Sequence, residues 1–234
     1  MAEQLLEVLR TEQKYTISYL DSQIIASKIG MVIPRDEHGT YDGYLVRSLY
    51  FDTLNDDDFK DKEGGLEMRR KIRLRVYGSE DTSAKLELKE KQGDFQRKRS
   101  LLLSRDDASE MIKGNYEVLK KYNTEFANEM YGRMTTQNYI PKCIVEYDRK
   151  AFVVKTNDIR ITFDSGLRAS EINLNVFDPN LYCYPVGNPS TVTMEVKFNH
   201  FLLGYVKDIV SIDGRQQLSS SKYCAARFAS LGSI

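Results

Sequence analysis

The 234-residue chain has no tryptophan, two histidines, three cysteines and five prolines. With only His38 and His200 available, neither a histidine-built metal centre nor a histidine-based triad can be assembled. His200, beside Phe201, reads as structural. Cys143, Cys183 and Cys224 are odd in number and widely spaced, so they give neither a disulfide framework nor a zinc spacing, as in a reducing compartment. No stretch approaches the length needed to cross a bilayer, and the N-terminus lacks an apolar leader core. A cytoplasmic location is therefore expected, with membrane association only through a partner protein. Neither G-x-x-x-x-G-K-[ST] nor G-x-G-x-x-G occurs. Thirty-four basic residues balance thirty-four acidic ones, so the overall charge does not call for nucleic acid. The chain has no repeat, low-complexity tract or linker, and residues 1–234 are expected to form a single domain.

Its positive features are a charged fraction of 29%, a hydrophobic fraction of 41% and a mean hydropathy of -0.48. The charges follow a pattern. They fall on alternate positions in Arg10-x-Glu12-x-Lys14, Lys71-x-Arg73-x-Arg75, Lys85-x-Glu87-x-Lys89-x-Lys91, Arg160-x-Thr162-x-Asp164 and Thr193-x-Glu195-x-Lys197. Glu146 and Asp148 read as a sixth case. Apolar residues such as Ile72, Leu74, Leu86, Leu88, Ile161, Met194 and Val196 fill the gaps. A period of two puts charge on one face of a strand and the hydrophobes on the other. Six such strands suggest one shared charged face around a central space, suited to a polyanion held with a divalent cation.

Strands are expected over residues 11–17, 44–51, 67–77, 84–90, 92–103, 144–154, 158–163 and 191–198, with turns at Gly93-Asp94 and at residues 155–158. A helix over 21–29 would be capped by Asp21 or Ser22 and stopped at Gly30. Residues 54–65 read as a loop or short helix. Ser104 opens a long helical region, broken at Gly114 and closed by Pro141. Residues 178–189 form a loop, 201–212 a helix, and a short C-terminal helix follows 219–221. The fold class is α+β, an antiparallel barrel with helices outside.

Arg73 and Arg75 point the same way and offer planar donors that bridge phosphate oxygens. Lys89, Lys91, Lys98 and Lys197 add point charges. Glu195 is the best candidate ligand for Mn²⁺ or Mg²⁺, which bind through one or two carboxylates plus substrate phosphates. Glu12, Glu87, Glu146 and Asp164 also lie on charged faces, either as ligands or in salt bridges. Ser221 is either a helix cap or part of a site with Lys222.

The ordered motifs EQKYTIS, SLYFDT, RRKIRLRVYG, KLELKEK, VEYDRKAF, IRITFD, MEVKF and SSKY resemble the VTC domain family of polyphosphate polymerases. That family is one of the CYTH-like triphosphate tunnel metalloenzymes, and the resemblance spans residues 10–228. It implies a tunnel barrel with basic residues and metal-binding carboxylates inside. By position it makes Lys14 the first-strand tunnel lysine and Arg73 and Arg75 the phosphate-gripping pair. Lys89, Lys98, Arg149 and Arg160 match later basic positions, Glu195 the metal ligand with Lys197 beside it, and Ser221-Lys222 the SKY signature. A further basic position falls to Lys62 or Arg70, and Arg149 needs a bulge if it is to share a face with Glu146. Related triphosphatases carry Glu-x-Glu-x-Lys on the first strand; Arg10 stands at the first of those glutamates.

The implied activity is transfer of the γ-phosphate of ATP to a growing polyphosphate chain. Arg73, Arg75, Lys89, Arg160 and Lys197 would be catalytic, and Lys14, Lys98, Arg149, Ser221 and Lys222 would bind substrate. Glu195 and Glu12 would hold the metal. The alternatives are hydrolysis of inorganic or nucleoside triphosphate, and a non-catalytic polyphosphate-binding module.

Overall fold

The computed structural model describes residues 10–37, 40, 42–93, 95–210, 217 and 221–232; for Arg10 it describes the backbone only. His38, Asp94, Ile212, Ser219 and the Arg10 side chain, each part of a sequence expectation, lie outside the described residues. Nine strands among the described residues form one sheet in the order β1-β9-β7-β6-β2-β3-β4-β5, with β8 on β7. They are β1 Arg10–Ser18, β2 Tyr44–Thr53, β3 Met68–Val76, β4 Ser83–Gln92, β5 Phe95–Ser104, β6 Tyr139–Val154, β7 Ile159–Ser170, β8 Tyr184–Pro185 and β9 Thr191–Asn199. The helices are α1 Tyr19–Gly30, α2 Asp57–Glu63, α3 Arg105–Ile112, α4 Glu125–Thr136, α5 Gly204–Val210 and α6 Lys222–Ser230. No helix of the described residues is long and apolar enough to cross a membrane.

The chain divides into two compact units. The first comprises Met1–Tyr44, Asp148–Gly166 and Asn188–Ser220. Antiparallel β1-β9-β7 turns Tyr15, Ile17, Ile159, Ile161, Phe163, Val192, Met194, Val196 and Phe198 to one side. There they pack on Ile25, Ala26 and Ile29 of α1 and on Val206 and Val210 of α5. Ser18, not Asp21 or Ser22, caps α1, because its extended backbone lets its hydroxyl accept the Asp21 N–H at 3.0 Å. Gly43 adopts φ +96°, and a Cβ there would meet the Arg149 carbonyl oxygen at 2.5 Å, so this approach admits no side chain.

The second unit comprises Leu45–Tyr147, Leu167–Gly187 and Ser221–Ile234. β2-β3-β4-β5 presents Leu49, Phe51, Ile72, Leu74, Val76, Leu86, Leu88 and Leu103 to Ala108 and Met111 of α3 and Met130 and Met134 of α4. Each fully buried aliphatic side chain contributes about 1.5–3 kcal/mol. The long helix expected from Ser104 is three pieces. Gly114 at φ +88° ends the α3 segment, a 3-10 helix runs over Tyr116–Tyr122, and Asn123 at φ +46° precedes α4. Pro141 does not close the helical region. Asn138 at φ +51° makes the turn, and Pro141 lies within β6.

Beside this core, Asp52 holds the start of α2. Its Oδ1 accepts from the Thr53 and Asp58 amides, and its Oδ2 from the Phe59 amide and the Tyr223 hydroxyl. Burial, with the neighbouring Asp52 charge, pushes the Asp58 carboxyl up to about 6 against the opposing pull of Arg70. Between the unfolded and folded pKa values the folded state binds the extra proton, so this group's contribution rises as pH falls through about 6 toward 4. Asp58→Asn should lack this gain: its melting-temperature difference from the parent protein should shift in the parent's favour between pH 7 and pH 5. A difference that is flat with pH would show that Asp58 is not the titrating group.

Candidate functional site

Opposite its apolar core, the β3-β4-β5 face is built from odd-numbered positions of β3 and β4. Antiparallel register sets Arg69 against Lys91, Lys71 against Lys89, Arg73 against Glu87 and Arg75 against Lys85. Lys89 in turn faces Lys98 of β5. Lys71, Lys89 and Lys98 thus form one row across three strands. Directly opposed side chains lie about 4.5–5.5 Å apart at Cβ, and like charges there destabilise the sheet by roughly 0.2–1 kcal/mol per pair. Glu87 is the carboxylate set among them and is 2% exposed. Arg73 Nε donates to it at 2.7 Å, Arg75 Nε lies 3.8 Å away, and Lys98 contacts it. Burial alone would raise the Glu87 carboxyl, but these three cations hold it well below the usual carboxylate range. Burial brings the Lys98 ammonium down to about 8, although half of its side chain is exposed.

Arg73 is further fixed by Tyr50, whose hydroxyl accepts from Nη1 at 3.0 Å. Tyr50 stacks on Tyr223 with centroids 5.1 Å apart, and Tyr223 is tied to Asp52. Ser221 is a helix cap, as one of its two expectations had it. It caps α6 through the Cys224 amide at 3.3 Å, and its hydroxyl accepts from Lys71 at 2.7 Å. The Lys222 ammonium lies 4.7 Å over the Tyr147 ring.

The first unit carries a different charged face. Register aligns Lys14, Glu195 and Thr162 across β1-β9-β7, with Glu12, Lys197 and Arg160 in the next row. Lys197 lies 2.7 Å from Glu195 Oε1 and 3.7 Å from Glu12 Oε2, while Lys14 lies 2.8 Å from Glu12 Oε1. Arg149 grips Asp164 with two bonds, at 2.7 and 2.8 Å. Arg160 donates to Asp36 at 2.9 Å and to Tyr44 at 3.0 Å. Four cations here (Lys14, Arg149, Arg160, Lys197) meet four carboxylates (Glu12, Asp36, Asp164, Glu195).

Glu195 and Glu12 supply hard oxygen donors with side chains 7% and 12% exposed. No group of three or more metal-ligating side chains occurs among the described residues. Two carboxylates suit a divalent ion that takes its remaining ligands from phosphate and water. The residues therefore fit the expected metal.

The structure thus groups Arg73, Arg75, Lys89, Lys98, Ser221 and Lys222 in one unit, and Lys14, Glu12, Glu195, Lys197, Arg160 and Arg149 in the other. Glu146 follows the salt-bridge expectation and lies buried between Arg47 and Arg168, each at 2.6 Å. Arg149 then needs no bulge, because alternate positions of β6 serve different partners. Arg70 does not supply the extra basic position, since its even parity places it with Ile72 and its Nε donates to Asp58 at 2.9 Å. Lys62 lies in α2 rather than on the sheet face, and Lys71 and Arg69 continue the row. Alternation already gave Lys71 and, carried one step further, gives Arg69, whereas Tyr50, Asp36 and Tyr44 reach Arg73 and Arg160 only through tertiary pairing.

An antiparallel sheet with charge on one face and helices packed on the apolar face makes this an α+β protein. Solved structures agree in fold. A candidate adenylate cyclase from Bacillus halodurans is similar over 90% of this chain and 92% of its own, at 14% identity and a TM-score of 0.52. HpAC1 of Hippeastrum, a candidate adenylyl cyclase with a dominant triphosphatase activity, is similar over 94% and 96%, at 11% identity and a TM-score of 0.57. No curated protein matches the chain in sequence. The chain belongs to the VTC domain family, whose model matches residues 9–231.

Cross-strand repulsion has a measurable cost. Lys89→Gln should raise the melting temperature of the ligand-free protein by a few degrees while reducing the further rise produced by polyphosphate. A drop in the ligand-free protein would mean that the row is not under repulsive strain. Lys98 carries its charge below about pH 8, so polyphosphate affinity should fall as pH rises through that value. Titration calorimetry at pH 7 and pH 9 should show a steeper loss in the parent protein than in Lys98→Met.

Proposed function

We propose that this protein is a metal-dependent polyphosphate polymerase that transfers the γ-phosphate of ATP to the end of a polyphosphate chain. The observation carrying this reading is the in-register Lys71-Lys89-Lys98 row beside Arg73 and Arg75. A sheet that sets like charges opposite one another gains from a polyanion what it loses to repulsion. Membership of the VTC domain family supports the same reading.

Arg73, held by Glu87 and Tyr50, keeps its remaining guanidinium donors for phosphate oxygens. Arg75, Lys89, Arg160 and Lys197 neutralise charge that builds on the transferring phosphoryl group. Lys14, Lys98, Arg149, Ser221 and Lys222 bind and orient the chain. The Ser221 hydroxyl is held at the helix start by its bond from Lys71. A divalent ion, Mn²⁺ or Mg²⁺, on Glu195 and Glu12 would supply charge neutralisation between phosphate oxygens. No protein nucleophile is needed, because a terminal phosphate oxygen attacks. The reading places the protein in the cytoplasm, with any membrane attachment through a partner.

Hydrolysis of triphosphates is the second reading, favoured by the charge-balanced face around Glu195, where water would take the place of the acceptor phosphate. Purified protein incubated with ATP and Mn²⁺ separates the readings. Polyphosphate chains are expected; orthophosphate alone would indicate a hydrolase, and no turnover a binding module. In the same assay Glu195→Gln should cut activity at least 100-fold at ordinary Mn²⁺. Unchanged metal dependence in this variant would remove Glu195 as the ligand.

A further inference from the structure

Two carboxylates on adjacent strands, each with its side chain about nine-tenths buried, repel one another unless a cation stands between them. In the first unit that cation is Lys197, at 2.7 Å from Glu195 Oε1 and 3.7 Å from Glu12 Oε2. The contact with Glu195 is an ion pair without hydrogen-bond alignment, since Oε1 is buried and accepts no hydrogen bond. Across the register from Glu195, Thr162 is 4% exposed and its Oγ1 has no hydrogen-bond partner. The ammonium is thus held by charge at Glu195 Oε1, and on the adjacent strand Thr162 Oγ1 keeps its hydrogen-bonding capacity unused. Oxygen atoms so arranged suit a hard divalent ion better than a tetrahedral donor.

We propose that Lys197 is a stand-in for the divalent ion, occupying its place between Glu12 and Glu195 until a phosphate oxygen draws the ammonium away. This inference rests on the metal role of Glu195 proposed above and adds how metal entry is controlled. Mg²⁺ binds carboxylate oxygen at about 2.0–2.1 Å. It cannot share Glu195 Oε1 with an ammonium 2.7 Å away without close cation–cation repulsion. Lys197 must leave first, and leaving forfeits both of its carboxylate contacts unless an anion replaces them. Metal and polyphosphate therefore bind with positive coupling, and each raises the affinity for the other by the same factor. Thr162 supplies a neutral oxygen beside the exchanged position. The face also becomes net positive when a doubly charged ion replaces the ammonium and the ammonium turns to the phosphate.

The test measures binding of Mn²⁺ alone, read from the electron paramagnetic resonance signal of free Mn²⁺, with no nucleotide or polyphosphate present. Lys197→Met should bind Mn²⁺ at least tenfold tighter than the parent protein, and Lys197→Arg, which keeps the charge, should bind as weakly as the parent. Adding Glu195→Gln to Lys197→Met should abolish the gain. Circular dichroism confirms that each variant is folded. No gain in Lys197→Met overturns the proposal, as does a gain that survives Glu195→Gln. If the parent protein and Lys197→Met bind equally tightly and Glu195→Gln weakens both, the metal role of Glu195 stands and the stand-in role of Lys197 falls.

Discussion

Repulsion between like charges placed in register is the constraint on which the β3-β4-β5 face is organised. Lys71, Lys89 and Lys98 stand opposite one another by backbone hydrogen bonding, and their side chains cannot escape to the other face. The sheet tolerates this because the same strands bury Ile72, Leu74, Leu86 and Leu88 completely. Apolar burial of about 1.5–3 kcal/mol per side chain outweighs roughly 0.2–1 kcal/mol of repulsion per pair. Glu87 relieves the strain only in part. Its carboxylate engages Arg73, Arg75 and Lys98, and Lys71 donates to the Ser221 hydroxyl.

The first unit solves the opposite problem. Its cations and carboxylates are matched, so the face around Glu195 has little attraction for a polyanion by itself. What it offers is exchange: pairs such as Lys197 with Glu195, or Arg160 with Asp36, can trade a carboxylate for a phosphate. Burial makes that trade selective, because a cation released from a nearly dry carboxylate needs another charged partner. Aromatic side chains hold the fixed parts. Tyr50 and Tyr223 stack beside Arg73, and Asp52 ties Tyr223 to the start of α2.

The face assignments were legible in the sequence because a two-residue period survives any tertiary arrangement. Arg73, Arg75, Lys89, Lys197 and Glu195 all lie where alternation puts them. Alternation failed where it was not followed strictly: Arg70 is of the other parity from Arg73 and turns to Asp58. Helix ends were less legible. Ser18 caps α1 because β1 runs directly into it, a junction that composition does not mark. Nor could the sequence reveal the Lys71-Lys89-Lys98 row, since register between strands depends on turn geometry and core packing rather than on either strand alone. The pairing of Arg160 with Asp36 joins residues 124 positions apart and has no local signature.

Because β3 and β4 are used on both sides, the chain has almost no freedom in their length. Inserting or deleting one residue within either strand would rotate every following side chain to the other side. Leucines would go into the charged face and arginines into the core. Core and site would be lost together, so natural length variation should be confined to the connections. The segment between Val76 and Ser83, where Gly78 lies beside Asp81, can absorb such changes. The same double use makes point substitution the main route by which this sheet could change its ligand: alternate positions can be exchanged one at a time while their neighbours keep the sheet folded.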